Sequence, residues 1–322
     1  MRAIQFETTG GPEVLQLVEL ETPVPGPGQI LLRHQAIGIN FIECYQRTGL
    51  YPMKLPAIPG GEAAGVVEAV GEGVTRFKVG DRAATTSAGG AYAEASLVRA
   101  DRAVAIPAAI STQVAAAILL KGMTTEAFIR RTYPVKAGET VLVHAAVGGV
   151  GQIMTQWLKA IGAVVIATVG SEDKAAKARA LGADHVILYR EQDVAAEVKR
   201  LTGGVGVPVA YDSVGKDTFE GTLASLARRG LFVSFGNASG PVPPFAPGRL
   251  AAGGSLYLTR PTLFDYIVTT EDLDGSAGAV FEMVASGKVQ IEIGQTFPLA
   301  DAAKAHEALE SRATVGASLL IP

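Results

Sequence analysis

The stretch 139–162, ETVLVHAAVGGVGQIMTQWLKAIG, restricts the fold more than any other part of the chain. The apolar run Val141-Leu142-Val143 ends in small residues, and the turn Gly148-Gly149-Val150-Gly151 comes next. Then Val150, Ile153, Met154, Trp157, Leu158 and Ile161 recur at helical spacing, and Gly162 closes the pattern. The sequence therefore spells strand, tight turn, helix. Glycines let a backbone approach a ligand closely, and a helix N-terminus offers unpaired N–H groups to an anion. Gly148, Gly149 and Val150 are thus a candidate cradle for a dinucleotide pyrophosphate. The motif departs from G-x-G-x-x-G because Ala146 holds the first glycine position, and a turn that only packs helix on sheet explains it equally well.

The downstream sequence separates the two readings. Strand and helix patterns alternate from Thr140 to about Arg260. Strands are expected at 163–169, 186–189, 207–212, 231–235 and 255–258, and helices at 172–181, 192–201 and 216–228. Six apolar strands separated by helices are what a doubly wound parallel sheet requires, so the fold class is α/β. Residues 1–120 instead show short strands between Pro- and Gly-rich turns, the pattern of a small barrel. Residues 113–133 look helical and would cross between domains. After Arg260 come a helix at 265–287, an extended segment at 289–297, a helix at 299–311 and a strand, Ala317 to Ile321, expected to return to the first domain. The expected division is 1–122 with 264–322, and 123–263.

Hydrophobic residues make up 48% of the 322 and charged residues 18%, enough to bury a sizeable core. The net charge of −3 argues against a broad basic surface for nucleic acid. Cys44 is the only cysteine, which excludes an intrachain disulfide or a multi-cysteine metal site. The N-terminus lacks a signal-like apolar region and no run reaches the length of a membrane span, so a cytoplasmic protein without membrane contact is expected.

In a dinucleotide fold, an acid about 20 residues past the glycines marks NAD through the ribose 2′-OH. Here the second strand ends Thr168-Val169-Gly170-Ser171, with no acid at its tip; Lys174 comes shortly after, and Tyr189 and Arg190 end the next strand. Small residues with cations nearby suit a 2′-phosphate, which favours NADPH. Glu172 and Asp173 count partly against it, and solvated surface charge is the bland alternative. Ligands in open α/β sheets bind outside the carboxyl ends of the strands. Those ends carry Ser213, then Phe235, Gly236 and Asn237, then Arg260. Each taken singly is ordinary turn chemistry; three together point to a groove. His144 reads as a packing or hydrogen-bonding histidine, and Cys44 as a quiet small residue.

Taken together, these residues resemble the zinc-independent quinone oxidoreductases of the medium-chain dehydrogenase/reductase superfamily, related to zeta-crystallin. The resemblance runs through 38–45, 59–67, 79–82, 120–125, 144–151, 211–215, 234–237, 259–261 and 311–314. It implies a GroES-like catalytic domain, a Rossmann domain and a cleft between them. It places Asn40, Tyr45 and Thr124 near the nicotinamide, Gly148, Gly149 and Val150 on the pyrophosphate, and Lys174 and Tyr189 on the 2′-phosphate, beside Ser171. Phe235, Asn237, Arg260 and Arg312 would line the rest of the groove. It also implies a homodimer, with the sixth strand pairing edge to edge.

Asn40 stands where zinc-dependent relatives carry a ligand cysteine, and Gly61 where they carry a ligand histidine. A soft tetrahedral zinc site cannot be built from what remains. That removes the Lewis acid that would polarise an alcohol or simple ketone, whereas quinones are already electron-poor. The expected reaction is NADPH-dependent reduction of a quinone or similar small acceptor, with Tyr45 and Asn40 as candidate orienting groups, or as cofactor packing. Two alternatives stay open: reduction of an alkenal or enone double bond on the same scaffold, and a cofactor-binding protein with the structural or RNA-associated roles linked to zeta-crystallin relatives.

Overall fold

The computed structural model describes residues 1–311 and 314–322. The chain divides into two compact units: Met1–Met123 with Ile267–Ala285 and Ile291–Pro322, and Thr124–Tyr266 with Ser286–Gln290.

The first unit opens with an antiparallel ribbon, β1 (Arg2–Gln5) and β2 (Gln16–Glu19). Its main sheet is built around β3 (Gln29–Ile39), followed by α1 (Phe41–Arg47), β4 (Ala63–Val70), β5 (Arg82–Thr85), β6 (Ala95–Arg99) and β7 (Ala103–Ala105). Irregularities at Leu31/Leu32 and His34/Ala36 bend β3 against β4. β6 pairs with Gln29–Arg33 and the last strand of the chain with Ile37–Ile39. Ile30, Leu32 and Ile37 are wholly buried, beside Ile4, Phe6, Tyr92 and Val98. Helix α2 (Thr112–Glu126) continues without a break into a π-helical turn, Ala127–Thr132.

The second unit is a six-stranded parallel sheet. In chain order it contains β8 (Thr140–Val143), α3 (Gly149–Ile161), β9 (Val164–Val169), α4 (Glu172–Ala180), β10 (His185–Leu188), α5 (Val194–Leu201), β11 (Val207–Asp212), α6 (Phe219–Ser225), β12 (Leu226–Ser234), α7 (Gly248–Ala252) and β13 (Tyr257–Thr259). The spatial order β10-β9-β8-β11-β12-β13 reverses direction between β8 and β11. That is the doubly wound arrangement the sequence leads one to expect, with its switch point beside the glycine turn. Leu142, Ile166, Ile187, Ala210 and Phe232, one from each of five strands, share a core with Val198, Phe219 and Leu223. α3 buries Ile153, Met154 and Leu158 and ends on Gly162 at φ 92°, the left-handed cap that glycine accepts.

Three expected spans of this sheet and its helices differ most. α6 covers only Phe219–Ser225, not 216–228, and β12 starts at Leu226 rather than 231. At its start, the Asp212 carboxylate takes the N–H groups of Val214 and Gly215 and the Thr218 hydroxyl, which holds 213–218 in a turn. At its end, Leu226 pairs with Val207 of β11. The sixth strand is Tyr257–Thr259, because Ser255 takes φ 58° and Leu256 donates to the Leu250 carbonyl, completing the turn after α7.

The chain then forms α8 (Thr270–Ala285), β14 (Ile293–Pro298), α9 (Ala302–Glu310) and β15 (Ala317–Ile321). α8 starts later than 265 because Thr269 and Asp272 exchange side-chain and backbone hydrogen bonds that cap it there. β15 runs parallel to β14 and antiparallel to β3.

Candidate cofactor and active site

At the carboxyl end of β8 the backbone turns sharply, with Ala145 at φ 50°. Gly148 is the N-cap of α3, and the N–H groups of Gly149, Val150 and Gly151 have no partner within the helix. A Cβ on Gly151 would run into the Ala145 carbonyl oxygen and lie 2.8 Å from Ala146, so glycine there lets the helix close onto the strand. Gly151 thus serves the packing, and the N–H groups of Gly149 and Val150 remain as the open helix N-terminus, since Gly148 donates its own to the Ala145 carbonyl at 2.9 Å.

The adjacent tip of β9 carries Gly170 and Ser171, and Ser171 is the N-cap of α4. A Cβ on Gly170 would lie 3.0 Å from the Tyr189 hydroxyl, so Tyr189, after β10, stands against this tip. Lys174 is half-buried on the first turn of α4, while Glu172, Asp173 and Arg190 are exposed. A small-residue floor, a phenol and an ammonium group are suited to a phosphate monoester.

Across the switch point, Ser213, Phe235, Gly236, Asn237 and Arg260 come together. A Cβ on Gly236 would collide with the Ser213 carbonyl, so the loops after β11 and β12 touch through backbone. Arg260 donates from Nη1 to Ser234 Oγ (3.2 Å) and to the Gly236 carbonyl (3.0 Å). With its amide oxygen facing Arg260, Asn237 accepts from Nη2 at 3.1 Å and donates to the Gly236 carbonyl at 2.9 Å. Phe235 is half-buried and its ring lies 5.2 Å from that of Phe128. Thr124, half-buried, lies on α2 one turn before Phe128.

His144 lies behind these loops with no role at their surface. Its Nδ1 meets Thr168 Oγ1 and its Nε2 meets Thr222 Oγ1, both at 2.9 Å. Thr222 also donates to Asp212 Oδ2 (3.2 Å). Burial lowers the His144 pKa, against the opposing pull of Asp212. The network ties β8, β9, β11 and α6 together.

In the first unit, Asn40 is the N-cap of α1 and Tyr45 lies one turn along it. The Tyr45 ring is 6.2 Å from Phe41 and 5.4 Å, edge-on, from the partly exposed Tyr51. Glu62 is completely buried; it accepts from Asn40 Nδ2 (3.1 Å), Lys121 Nζ (3.0 Å) and the Leu120 N–H (2.7 Å). Glu43, also buried, accepts the Asn40 N–H at 2.6 Å, and burial pushes its pKa up to about 8. Sequence reasoning gives no role to Glu43, Glu62 or Lys121. The one signal it offers is Glu62 itself, a lone acid in the run Pro59-Gly60-Gly61-Glu62-Ala63-Ala64-Gly65, since a buried carboxylate requires donors.

Cys44 is buried, 3.6 Å from His306 Nδ1, and burial raises its pKa, which suits a quiet thiol. Arg312 lies outside the described residues. Among the described residues no three His, Cys, Asp or Glu side chains gather as a metal site.

Comparison with known proteins accounts for both units. Residues 26–108 match the alcohol dehydrogenase GroES-like domain, and residues 149–287 match the family model described as zinc-binding dehydrogenase. That pairing defines the medium-chain dehydrogenase/reductases. The chain is 52% identical to a quinone oxidoreductase of Salmonella typhimurium, over 99% of both chains. It superposes on the crystal structure of Escherichia coli quinone oxidoreductase complexed with NADPH with a TM-score of 0.99, at 50% identity over the full length of both. A 2-haloacrylate reductase of a Burkholderia species is 41% identical over 97% of this chain and 96% of its own. The chain belongs to the quinone oxidoreductase family of that superfamily.

Proposed function

We propose that this protein reduces quinones with NADPH, without a metal ion. The observation that carries the reading is the tip of β9, where Gly170 and Ser171 stand in place of the acid of NAD sites, Gly170 lies against the Tyr189 hydroxyl, and Lys174 follows on the first turn of α4. The full-length likeness to quinone oxidoreductases supports the acceptor class. Gly149 and Val150 hold the pyrophosphate by their N–H groups and the α3 dipole, and Gly148, whose own N–H goes to the Ala145 carbonyl, gives it room to approach. Ser171, Lys174 and Tyr189 take the 2′-phosphate. Ser213, Phe235, Gly236, Asn237 and Arg260 form the wall of the groove, with Thr124, and Arg312 contributes from outside the described residues. Asn40 and Tyr45 meet the nicotinamide and the acceptor, orienting an oxygen by hydrogen bonds. The bound cofactor supplies the reducing electrons. A quinone carbonyl is electron-poor enough to need no metal polarisation.

The test is NADPH oxidation with a panel of quinones, simple enals and a 2-haloacrylate. Turnover confined to quinones is expected. Turnover confined to activated double bonds would move the assignment to the second reading, which the Burkholderia relative favours. No turnover despite NADPH binding would leave a cofactor-binding protein. Lys174→Ala should weaken NADPH binding about tenfold and leave NADH unchanged, by loss of one charge-assisted contact. Equal and unchanged affinities would remove the phosphate site.

A homodimer belongs to the same proposal. β13 is the last strand of its sheet, and Tyr257 on it is 60% exposed. A single-chain mass in analytical ultracentrifugation would reject it. The cytoplasm is the proposed compartment. No helix of the described residues is long and apolar enough to cross a membrane, and the one cysteine is a free buried thiol, as reducing conditions favour. Fractionation of the host cell checks that placement.

A further inference from the structure

The Asn40 residue is held from two sides by buried acids. Its backbone N–H donates to Glu43 Oε2 (2.6 Å) and its Nδ2 to Glu62 Oε2 (3.1 Å). The same Glu62 oxygen accepts from Lys121 Nζ (3.0 Å), and Oε1 accepts the Leu120 N–H (2.7 Å). Each of these partners of the Glu62 carboxylate is a donor. An amide has a donor end and an acceptor end, and an ionised carboxylate takes only the donor end. Nδ2 must therefore face Glu62, and Oδ1 must face away from it, on the side of the Glu43 N–H in the α1 capping box, with a second lone pair to offer a ligand. Gly38 makes the room, because a Cβ there would collide with Glu62 Oε2. Asn40 itself is only half-buried. Buried ion pairs add little net stability compared with apolar residues of the same volume, so stability alone is a weak reason for placing Glu62 and Lys121 beneath one asparagine.

We propose that Glu62, held by Lys121, is a positioning residue that fixes the polarity of the Asn40 amide, so that Asn40 presents a hydrogen-bond acceptor to an O–H or N–H of the bound ligand. The inference rests on the reading that Asn40 meets the reacting molecules. The donor belongs to the cofactor or to the reduced acceptor, and the two are separable by measurement.

Glu62→Gln keeps the shape but gives the side chain a donor end. Turned toward Asn40, that end makes the asparagine swing its oxygen inward and present NH2 instead. NADPH affinity measured without quinone should then fall about tenfold if the ligand donor is on the cofactor, the cost of one mismatched polar contact. If the donor is on the reduced acceptor, kcat at saturating NADPH should fall by that factor with affinity unchanged. The deciding variant combines Asn40→Asp with Glu62→Gln. The introduced carboxylate accepts from the introduced amide and again shows an acceptor outward, so the lost parameter should recover most of its value. A double variant no better than Glu62→Gln, or a folded Glu62→Gln with neither parameter changed, overturns the proposal.

If the Glu62 variants do not fold, Asn40→Asp alone decides. It sets a second carboxylate against Glu62, with Lys121 and Glu43 the other charged or titratable groups beside it. The pair must share a proton to keep the geometry. Ligand binding relative to wild type should then fall as pH rises from 6 to 9, and a profile parallel to wild type overturns the proposal. Wild-type turnover with quinones is measured first. If it is absent the quinone reading fails, and the NADPH titrations still decide this one.

Discussion

His34, His144 and His306 are buried, and burial lowers the pKa of each, to about 4 for His34 and about 3 for His306. Their unfolded value is near 6.5. Below that, the unfolded chain binds protons that the native state refuses, so their stabilisation is complete above pH 6.5 and is lost as pH falls toward 4 and 3. Glu43 has the opposite sign. Its native pKa, near 8, lies above the unfolded value, so its contribution is complete below pH 4.5 and lost as pH rises through 8. Three histidines outweigh one acid between pH 6.5 and 4.5. Urea denaturation should show stability falling across that range by roughly 1.4 kcal/mol per pH unit for each net proton taken up. A flat profile would mean that these side chains are hydrated in solution. The sequence placed His144 correctly as a hydrogen-bonding group because its context was an apolar strand. It gave no access to the Glu62–Lys121 pair, since 58 positions separate Leu120 from the acid it also binds.

At the scale of elements, α3 and α1 have different needs. α3 must come close to β8, and Gly151→Ala would set a methyl group against the Ala145 carbonyl. Overpacking of this kind costs about 1–3 kcal/mol. A lowered melting temperature together with weakened NADPH binding is expected, and an unchanged melting temperature would count against the close approach. α1 is tied to α9 through polar groups. Arg47, 2% exposed, donates from Nη1 to His306 Nδ1 (3.2 Å) and from Nη2 to Glu310 (2.7 Å), while His306 Nε2 meets the Tyr92 hydroxyl (3.0 Å). Because arginine only donates, Nδ1 must accept and Nε2 must carry the proton. His306→Ala would take one partner from the buried Arg47 Nη1 and one from the buried Tyr92 hydroxyl, while Arg47 keeps Glu310 and the Gly10 carbonyl, costing about 2 kcal/mol in denaturant unfolding. His306→Gln, which keeps an acceptor, should recover part of it. Elements with a strong period were legible from the spacing of apolar residues: five strands of the sheet, α3 with its Gly162 cap, and β15. What failed were boundaries set by side chains. Asp212 shortens α6, Thr269 and Asp272 delay α8, and the left-handed Ser255 delays β13. The π-helical turn after α2 left no periodic trace of its own, because its apolar residues simply continue the preceding helix.

For the molecule as a whole, ligand binding and stability are linked. NADPH at 100 times its dissociation constant should add about 2.7 kcal/mol to the stability of the unit that holds it. NADH at the same concentration should add clearly less if the β9 tip takes the 2′-phosphate as proposed, since that tip carries no acid for a bare ribose. Differential scanning calorimetry with each nucleotide checks this, and equal shifts would contradict it. The broad plan of a β-rich unit and a parallel α/β sheet could be read from the pattern of turns and apolar runs. The three groups at the carboxyl ends of the strands were also legible, since position at a strand end comes from the topology alone. The partners that hold those groups, such as Arg260 on Gly236, depend on loops folding back across the sheet and left no mark on local sequence.

β15 has a consequence for the order in which the protein can be made. Its residues 318–320 pair with Ile37–Ile39, roughly 280 positions earlier, and among the described residues β14 joins the sheet only through β15. During synthesis the sheet that starts first must wait for a segment that leaves the ribosome much later. The parallel sheet between them has all six strands within 140–259 and can close while the rest is still being translated. Until β15 arrives, the β15 side of residues 37–39 of β3 is an open edge on a nascent chain, the kind of edge that invites pairing with other chains.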